Sequence, residues 1–306
     1  MPQSQRDVRN RISAVKNIEK IARALELVAA ARLRRAEQRI EALRPYADAI
    51  RRMTRQASEA AGTLPRLPIL LEHDQVSRVG LLLIAGDRGL AGAFNSNIVR
   101  AGVAAGRSYD GDGVTPVFFA SGRRPATSLT FRGLEPAESF TGFTDRPAYA
   151  DARRIADRLM AAYIDDEVDR VEIFYNGYIS PVAQEVRRET LLPLQQATIL
   201  EEGPGNGERE AREDRKSDPG ALVDYEPDPE EILKRLVPDY VEVSIFRALL
   251  ESTASEHGAR MTAMHNASDN AGDLIKSLTL EMNRARQAEI TQEILEVVAG
   301  AEGLSG

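Results

Sequence analysis

The sequence predicts an α/β protein in which the two ends of the chain form a long antiparallel coiled coil that carries an inserted Rossmann-like α/β domain. Three observations predict it. Apolar residues recur at helical spacing near both termini. In the middle, continuous apolar runs bounded by glycine alternate with helical patterns, as in a largely parallel sheet. A proline-free stretch from Asp239 to Gly300 would make a rod of roughly 90 Å at 1.5 Å per residue, far longer than a helix inside a compact domain.

Taken in order, Val8, Ile12, Val15, Ile18, Ala22, Leu25, Ala29 and Leu33 mark one stripe of a helix over residues 4–60. Pro45 is a point where that helix kinks or breaks. The centre of the stripe, "LVAAARL", is small enough for a second helix to approach closely. Gly62, Pro65 and Pro68 mark a linker over residues 62–75. "VGLLLIAG" (Val79–Gly86) reads as a buried strand, followed by a glycine-rich turn and a helix near Phe94–Arg107. "VTPVFFAS" (Val114–Ser121) is a second strand, Arg146–Ile164 a helix, and "VDRVEIFYNGY" (Val168–Tyr178) a third strand. "AQEVRRETLLPL" (Ala183–Leu194) alternates as a strand paired with it across "ISPV", and is expected to run antiparallel. The resulting division is an N-terminal coiled-coil helix over 1–61, an α/β foot domain over 76–195, an acidic linker over 196–230 and a C-terminal helix over 231–306.

Composition narrows the function. Hydrophobic residues make up 42% and charged residues 28% of the 306, which fits a folded globular chain. No apolar run reaches the ~18 residues of a membrane span, and the basic N-terminus lacks a signal peptide's apolar core, so it reads as mature protein. The absence of cysteine excludes disulfides, thiolate nucleophiles and cysteine metal sites. The net charge of −7 is unevenly spread: residues 1–60 hold 14 basic and 7 acidic residues (14 − 7 = +7), and residues 201–231 hold 4 and 12 (4 − 12 = −8). A basic rod suits nucleic acid or an acidic protein partner. Residues 1–45 carry no aromatic side chains for base stacking, which favours the protein partner for the band Arg32, Arg34, Arg35 and Arg39 over nucleic acid. An ordinary solvated face is the simpler reading, since Glu37 and Glu41 are interspersed.

Catalytic signatures are weak. "GDRGLAGAF" (Gly86–Phe94) occupies the place of a phosphate-binding loop, but its glycine spacing matches neither the dinucleotide fingerprint nor a P-loop, and Asp87 would repel a phosphate. A tight turn with a helix cap is the better reading. His257 and His265 are too far apart for a metal pair on one helix, and solvated or partner-facing histidines are expected. Asp165, Asp166, Glu167 and Asp169 read as a solvated charge cluster at a turn. One stretch stands apart. In "NRARQAEITQEILEVVAG" (Asn283–Gly300) the stripe shrinks to alanine, polar groups crowd together, and Ile290, Ile294, Leu295, Val297 and Val298 then wrap around more than one face. Such a tip needs something other than a partner helix to cover it.

The chain resembles the gamma subunit of F-type ATP synthases in three separated blocks. These are "RDVRNRISAVKNIEKIARALELVAAARLRRA" with "RPYA", then "GDRGLAGAFNSNI", then "EPDPEEIL" with "ASEHGARMTAMHNASDNAGDLIKSLTLEMNRARQAEITQEILEVVAGAE". The resemblance implies a non-catalytic rotor shaft without cofactors, bound to the alpha and beta subunits of a catalytic hexamer, to the epsilon subunit and to the c-ring. Its place would be the cytoplasmic face of the bacterial inner membrane, reached only through the complex. It implies contacts to beta at Leu25, Arg260, Arg286, Gln287, Thr291 and Glu293, and a c-ring-facing foot at Tyr225 and Glu226. Gly86, Ala91, Ala93 and His265 stand where the family often has serine, cysteine, glycine and lysine. Plastid relatives carry a cysteine-containing redox insert near the acidic linker, and a thiol switch is impossible in this chain. Two rivals remain at this level: a coiled-coil scaffold with an inert α/β module, and a nucleotide-dependent enzyme using "GDRGLAG".

Overall fold

A computed structural model describes residues 5–61, 67–194 and 229–305. Helix α1 (Gln5–Ala61) runs 57 residues and continues through Pro45. The last helix, α5 (Pro229–Ser305), has 77 residues and passes through Pro238, whose missing N–H removes one bond from the ladder without ending the helix. At 1.5 Å per residue it is roughly 115 Å long.

The two helices are antiparallel. Val8 and Ile12 cluster with Leu278, flanked by Val15, Ile275 and Met282, whereas Leu33 and Ala36 further along α1 cluster with Ala254, flanked by Met261. Rising numbers on α1 therefore meet falling numbers on α5. Alanines supply much of the seam, with Ala22, Ala29, Ala36 and Ala271 all buried. Small side chains at those positions let the helices approach closely, which is what "LVAAARL" anticipated.

Between the helices lies a five-stranded sheet. Its strands are β1 (Arg78–Ile84), β2 (Thr115–Ser121), β3 (Glu138–Phe140), β4 (Arg170–Ser180) and β5 (Ala183–Leu192), in the order β3-β2-β1-β4-β5. β3, β2, β1 and β4 are mutually parallel, and β5 returns antiparallel to β4, as its sequence suggested. The crossovers are α2 (Phe94–Gly111), α3 (Arg123–Phe131) and α4 (Tyr149–Ile164). The periodicity did not disclose α3 and β3. α3 has nine residues, of which only Pro125 and Leu129 are buried, and β3 has three, so neither is long enough to show a period.

Alternation along β1 divides the core. Val79, Leu81, Leu83 and Ala85 join α2 residues Phe94, Ile98, Val99 and Val103 on one face. Leu82 and Ile84 join Ile155 and Leu159 of α4 on the other, together with Val237, Val241, Ile245, Ala248 and Leu249 of α5. Two glycines set the spacing of α2 on the sheet: a Cβ at Gly102 would stand 2.8 Å from Leu83, and one at Gly106 2.6 Å from Phe118. The first third of α5 is thus a core helix of the foot, and only afterwards does it become shaft. Ile245→Ala should lower unfolding stability by ~2–5 kcal/mol, measured by denaturant titration. A loss below about 1 kcal/mol would show that α5 is not integral to the foot core.

Candidate functional site

In a doubly wound sheet the strand order reverses at one point, and the crevice beyond the carboxyl ends of the strands there is where ligands bind. Here the reversal lies between β1 and β4: β2 and β3 extend to one side of β1, while the crossover through α4 returns the chain to the other. That crevice is filled by α5. Ser252 Oγ donates to Ile84 O at 3.4 Å, and Ser255 Oγ donates to Asn176 O at 3.0 Å. Thr253 Oγ1 lies 2.9 Å from Thr144 O in the loop before α4. Close backbone approach completes the fit: a Cβ at Gly86 would stand 2.7 Å from Glu256 Oε1, and one at Gly258 2.7 Å from Pro181 O.

The loop "GDRGLAG" is built to receive this helix. Leu90 (φ 61°) and Gly92 (φ 55°) take left-handed conformations that turn it tightly. Asp87 organises it. One carboxylate oxygen accepts from Arg123 N at the start of α3 (2.9 Å), and the other accepts from Gly142 N (2.9 Å), Thr144 N (3.2 Å) and Thr144 Oγ1 (3.0 Å). An acidic side chain at a helix N-terminus satisfies orphan N–H groups and complements the helix dipole. The loop therefore does contain a helix cap, but Asp87 caps α3, whereas the N-cap of α2 is Ala93 with no side-chain bond. The loop thus carries its own carboxylate, used to tie it to α3 and to the loop before α4.

Across the loop, Arg260 donates to Gly89 O through Nε and an η nitrogen (3.4 and 3.3 Å), pairs closely with Glu256, and lies 3.3 Å from His257 Nδ1. Burial pushes the Glu256 carboxyl upward, against the pull of Arg260. Burial first, and then the Arg260 charge, hold His257 down to about 4, so its imidazole is neutral at pH 7. The expectation of a solvated or partner-facing His257 is corrected here: it is 1% exposed, because α5 presents this face to the strand ends. Asp169 is corrected likewise. It is buried and accepts from Ser77 N, Ser77 Oγ and Arg78 N, which outweigh burial and lower its pKa. Among the described residues, no group of three or more His, Asp or Glu side chains is arranged to hold a metal ion.

The sequence-selected residues fall into separate places. Arg260 is drawn into the junction just described. Leu25 lies half-buried on α1. Arg286, Gln287, Thr291 and Glu293 are exposed on the far end of α5, where Thr291 Oγ1 donates back to Gln287 O at 2.8 Å. Beyond Met282, the last α5 residue clustered with the start of α1, every side chain from Arg286 to Ala299 is exposed, and Ile290, Ile294, Leu295, Val297 and Val298 are between 47% and 72% exposed. Tyr225, Glu226 and the acidic stretch around them lie outside the described residues. Sequence reading missed Thr144, Asn176 and Glu256. The signal was present in "ESTASEHGAR", a polar interruption of the α5 stripe that solvent exposure would also explain.

Residues 4–304 match the family described as ATP synthase. The chain is 43% identical over 302 residues to the ATP synthase gamma chain of Rubrobacter xylanophilus, covering 99% of each. It is 38% identical over 314 residues to that of Saccharopolyspora erythraea, covering 98% of this chain and 97% of the relative. In fold it is similar to a chain of the Euglena gracilis mitochondrial ATP synthase OSCP/F1/c-ring structure (TM-score 0.68, 17% identity, 98% of this chain and 94% of that one). It is also similar to one from the Tetrahymena thermophila mitochondrial ATP synthase central stalk and c-ring (TM-score 0.58, 24% identity, 81% and 99%).

A prediction follows from His257. Its folded pKa lies below the unfolded value of 6.5. Between those values the unfolded chain binds the extra proton, so stability present above pH 6.5 is lost as pH falls toward 4. Wild type should lose about 2 kcal/mol more than His257→Gln between pH 7 and pH 5 in chemical unfolding, at 1.36 kcal/mol per unit. Equal losses would refute the buried neutral imidazole.

Proposed function

Because this chain belongs to the ATP synthase gamma-chain family, we propose that it is the central rotor shaft, coupling ion-driven rotation of a c-ring to the conformational cycle of catalytic sites on the beta subunits. One observation carries this reading: the end of α5 outruns the described part of its partner helix and exposes five large apolar side chains, Ile290, Ile294, Leu295, Val297 and Val298, along one broad face of the helix. A solvated tip of that kind is an apolar patch without cover, whereas the bore of an alpha–beta hexamer supplies an apolar sleeve.

On this reading the chain catalyses nothing itself. The filling of the switch-point crevice by Ser252–Arg260, and the use of Asp87 to tie the loop to Arg123, Gly142 and Thr144, support a structural role for the α/β module. Arg286, Gln287, Thr291 and Glu293 form the exposed polar band just below the apolar tip, and we assign them contacts with beta-subunit loops. Leu25 is assigned a beta contact lower on the rod. Arg260 serves coupling from within, by tying the shaft helix to Gly89 of the foot loop. The foot, with Tyr225 and Glu226, is proposed to meet the c-ring and the epsilon subunit. Among the described residues no helix is long and apolar enough to cross a membrane. Attachment at the cytoplasmic face of the bacterial inner membrane would then come through those partners.

Replacing Arg286 and Gln287 together with alanine should lower ATP synthesis in reconstituted vesicles at least several-fold while leaving the circular dichroism of the isolated chain unchanged, since both side chains are exposed on a helix that alanine favours. Wild-type synthesis by that variant would refute the assignment. Failure of the chain to assemble with an alpha–beta hexamer would refute the rotor reading itself.

A further inference from the structure

The foot and α5 are one body, because α5 supplies core residues to both the sheet face and the strand-end crevice. α1 is differently placed. Between Ala22 and Ala36 its buried seam against α5 is three alanines and Leu33, crossed at the surface by Glu26 Oε1 lying 3.1 Å from His265 Nδ1. Small side chains bring helices close without driving many long knobs into holes. A torque applied to α5 would pass poorly across so smooth a seam. Yet α1 is also held by the foot directly, within one band of two turns.

Three contacts make that band. Arg32 Nη1 donates to Asp145 Oδ2 at 2.6 Å, and Arg88 of the "GDRGLAG" loop reaches the same oxygen at 3.3 Å. Arg39 donates to Pro147 O, two residues further along the same loop. From the other side, Tyr178 of β4 donates its hydroxyl to Glu37, and its ring packs with Leu33, Ala36 and Ile40. Burial works to raise the Asp145 carboxyl, but the hydrogen bond and charge of Arg32, followed by Arg88, bring it below the ordinary range, so the pair stays ionised. Arg34 and Arg35, between these residues in sequence, are exposed. The basic band of α1 therefore divides into cations held by the foot and cations left for solvent or a partner.

We propose that Arg32, Glu37 and Arg39 form a collar through which the foot drives α1 directly, so that torque enters the shaft along two parallel paths, one through each helix. The residues are positioning residues: none touches a reacting group, and each acts by fixing α1 to the loop over 144–147 or to β4. The proposal rests on the rotor-shaft reading and adds to it where the load is carried. Charge-assisted contacts suit this task, being short, directional and resistant to sliding in a way that an alanine seam is not.

Torsional stiffness tests it. The full chain is assembled with an alpha–beta hexamer, a probe is attached to the foot, the hexamer is stalled, and the angular variance of the probe is recorded. The chain has no cysteine, so Glu37→Cys with Tyr178→Cys introduces the only two thiols. Arg32 and Arg39 still hold α1 in this double variant, so the variance should rise modestly. Adding Arg32→Ala and Arg39→Ala, which cuts all three contacts, should about double it, as for two comparable springs of which one is cut. In the double variant, joining the two thiols with a short bismaleimide should return the variance to the wild-type value. Tyr178→Phe, which keeps the ring packing and loses only the hydroxyl, should give a smaller rise and guards against a folding defect in the double variant. Unchanged variance in the unbridged double variant and in Tyr178→Phe, or a raised variance that bridging leaves in place, would overturn the collar. A wild-type chain that fails to assemble or turn would instead count against the rotor reading.

Discussion

The arrangement depends on one polar helix face. Ser252, Thr253, Ser255, Glu256, His257 and Arg260 lie within nine residues of α5, and all are buried against strand ends and loop carbonyls of the foot. Burying so many polar groups is unfavourable unless each finds a partner, because an unpaired donor or acceptor in the interior costs about 1–3 kcal/mol. The partners come from several parts of the chain: Ile84, Gly89, Thr144 and Asn176 each accept a hydrogen bond there. Such a set is satisfied in one register only. Sliding α5 by a single residue would orphan most of it, so the polar face fixes the angle and height at which the shaft leaves the foot.

From that fixed point the rest of the molecule follows. Below it, α5 is apolar toward α4 and the sheet and belongs to the foot core. Above it, the helix pairs with α1 first through small residues and then through Ile275, Leu278 and Met282, beyond which it stands alone among the described residues. A rod of this kind changes its chemistry along its length: locked at the base, close-packed in the middle, uncovered at the tip. The module that elsewhere binds nucleotides has its ligand crevice occupied by the chain's own helix, which converts a binding fold into a mount.

Much of this was legible in the sequence. Val8, Ile12, Val15 and Leu33 on one side, and Ala271, Leu278 and Met282 on the other, show helical spacing because a two-helix seam imposes it. The crowded polar groups from Arg286 to Glu293 and the exposed apolar residues from Ile290 to Val298 marked a missing partner, although only the family resemblance suggested which. The junction was not legible. "ESTASEHGAR" has the composition of a solvated helix face, and its burial arises from Gly86, Pro181 and the loop at Thr144 approaching it from distant parts of the chain. Arg32 and Arg39 were equally opaque, because a cation held by Asp145 and a cation facing water look alike in a sequence. Periodicity reports which face is apolar, and says nothing of polar groups satisfied by long-range contacts.

The central claim is that this chain turns as a rigid shaft while a catalytic hexamer works around it. The most direct measurement attaches a bead to the foot of the wild-type chain, fixes the alpha–beta hexamer to a surface, supplies ATP and follows the bead's angle together with hydrolysis. Sustained rotation in one direction, at a rate that tracks hydrolysis, is the expected result. Hydrolysis by the assembled complex with the foot stationary, or wandering without direction, would contradict it.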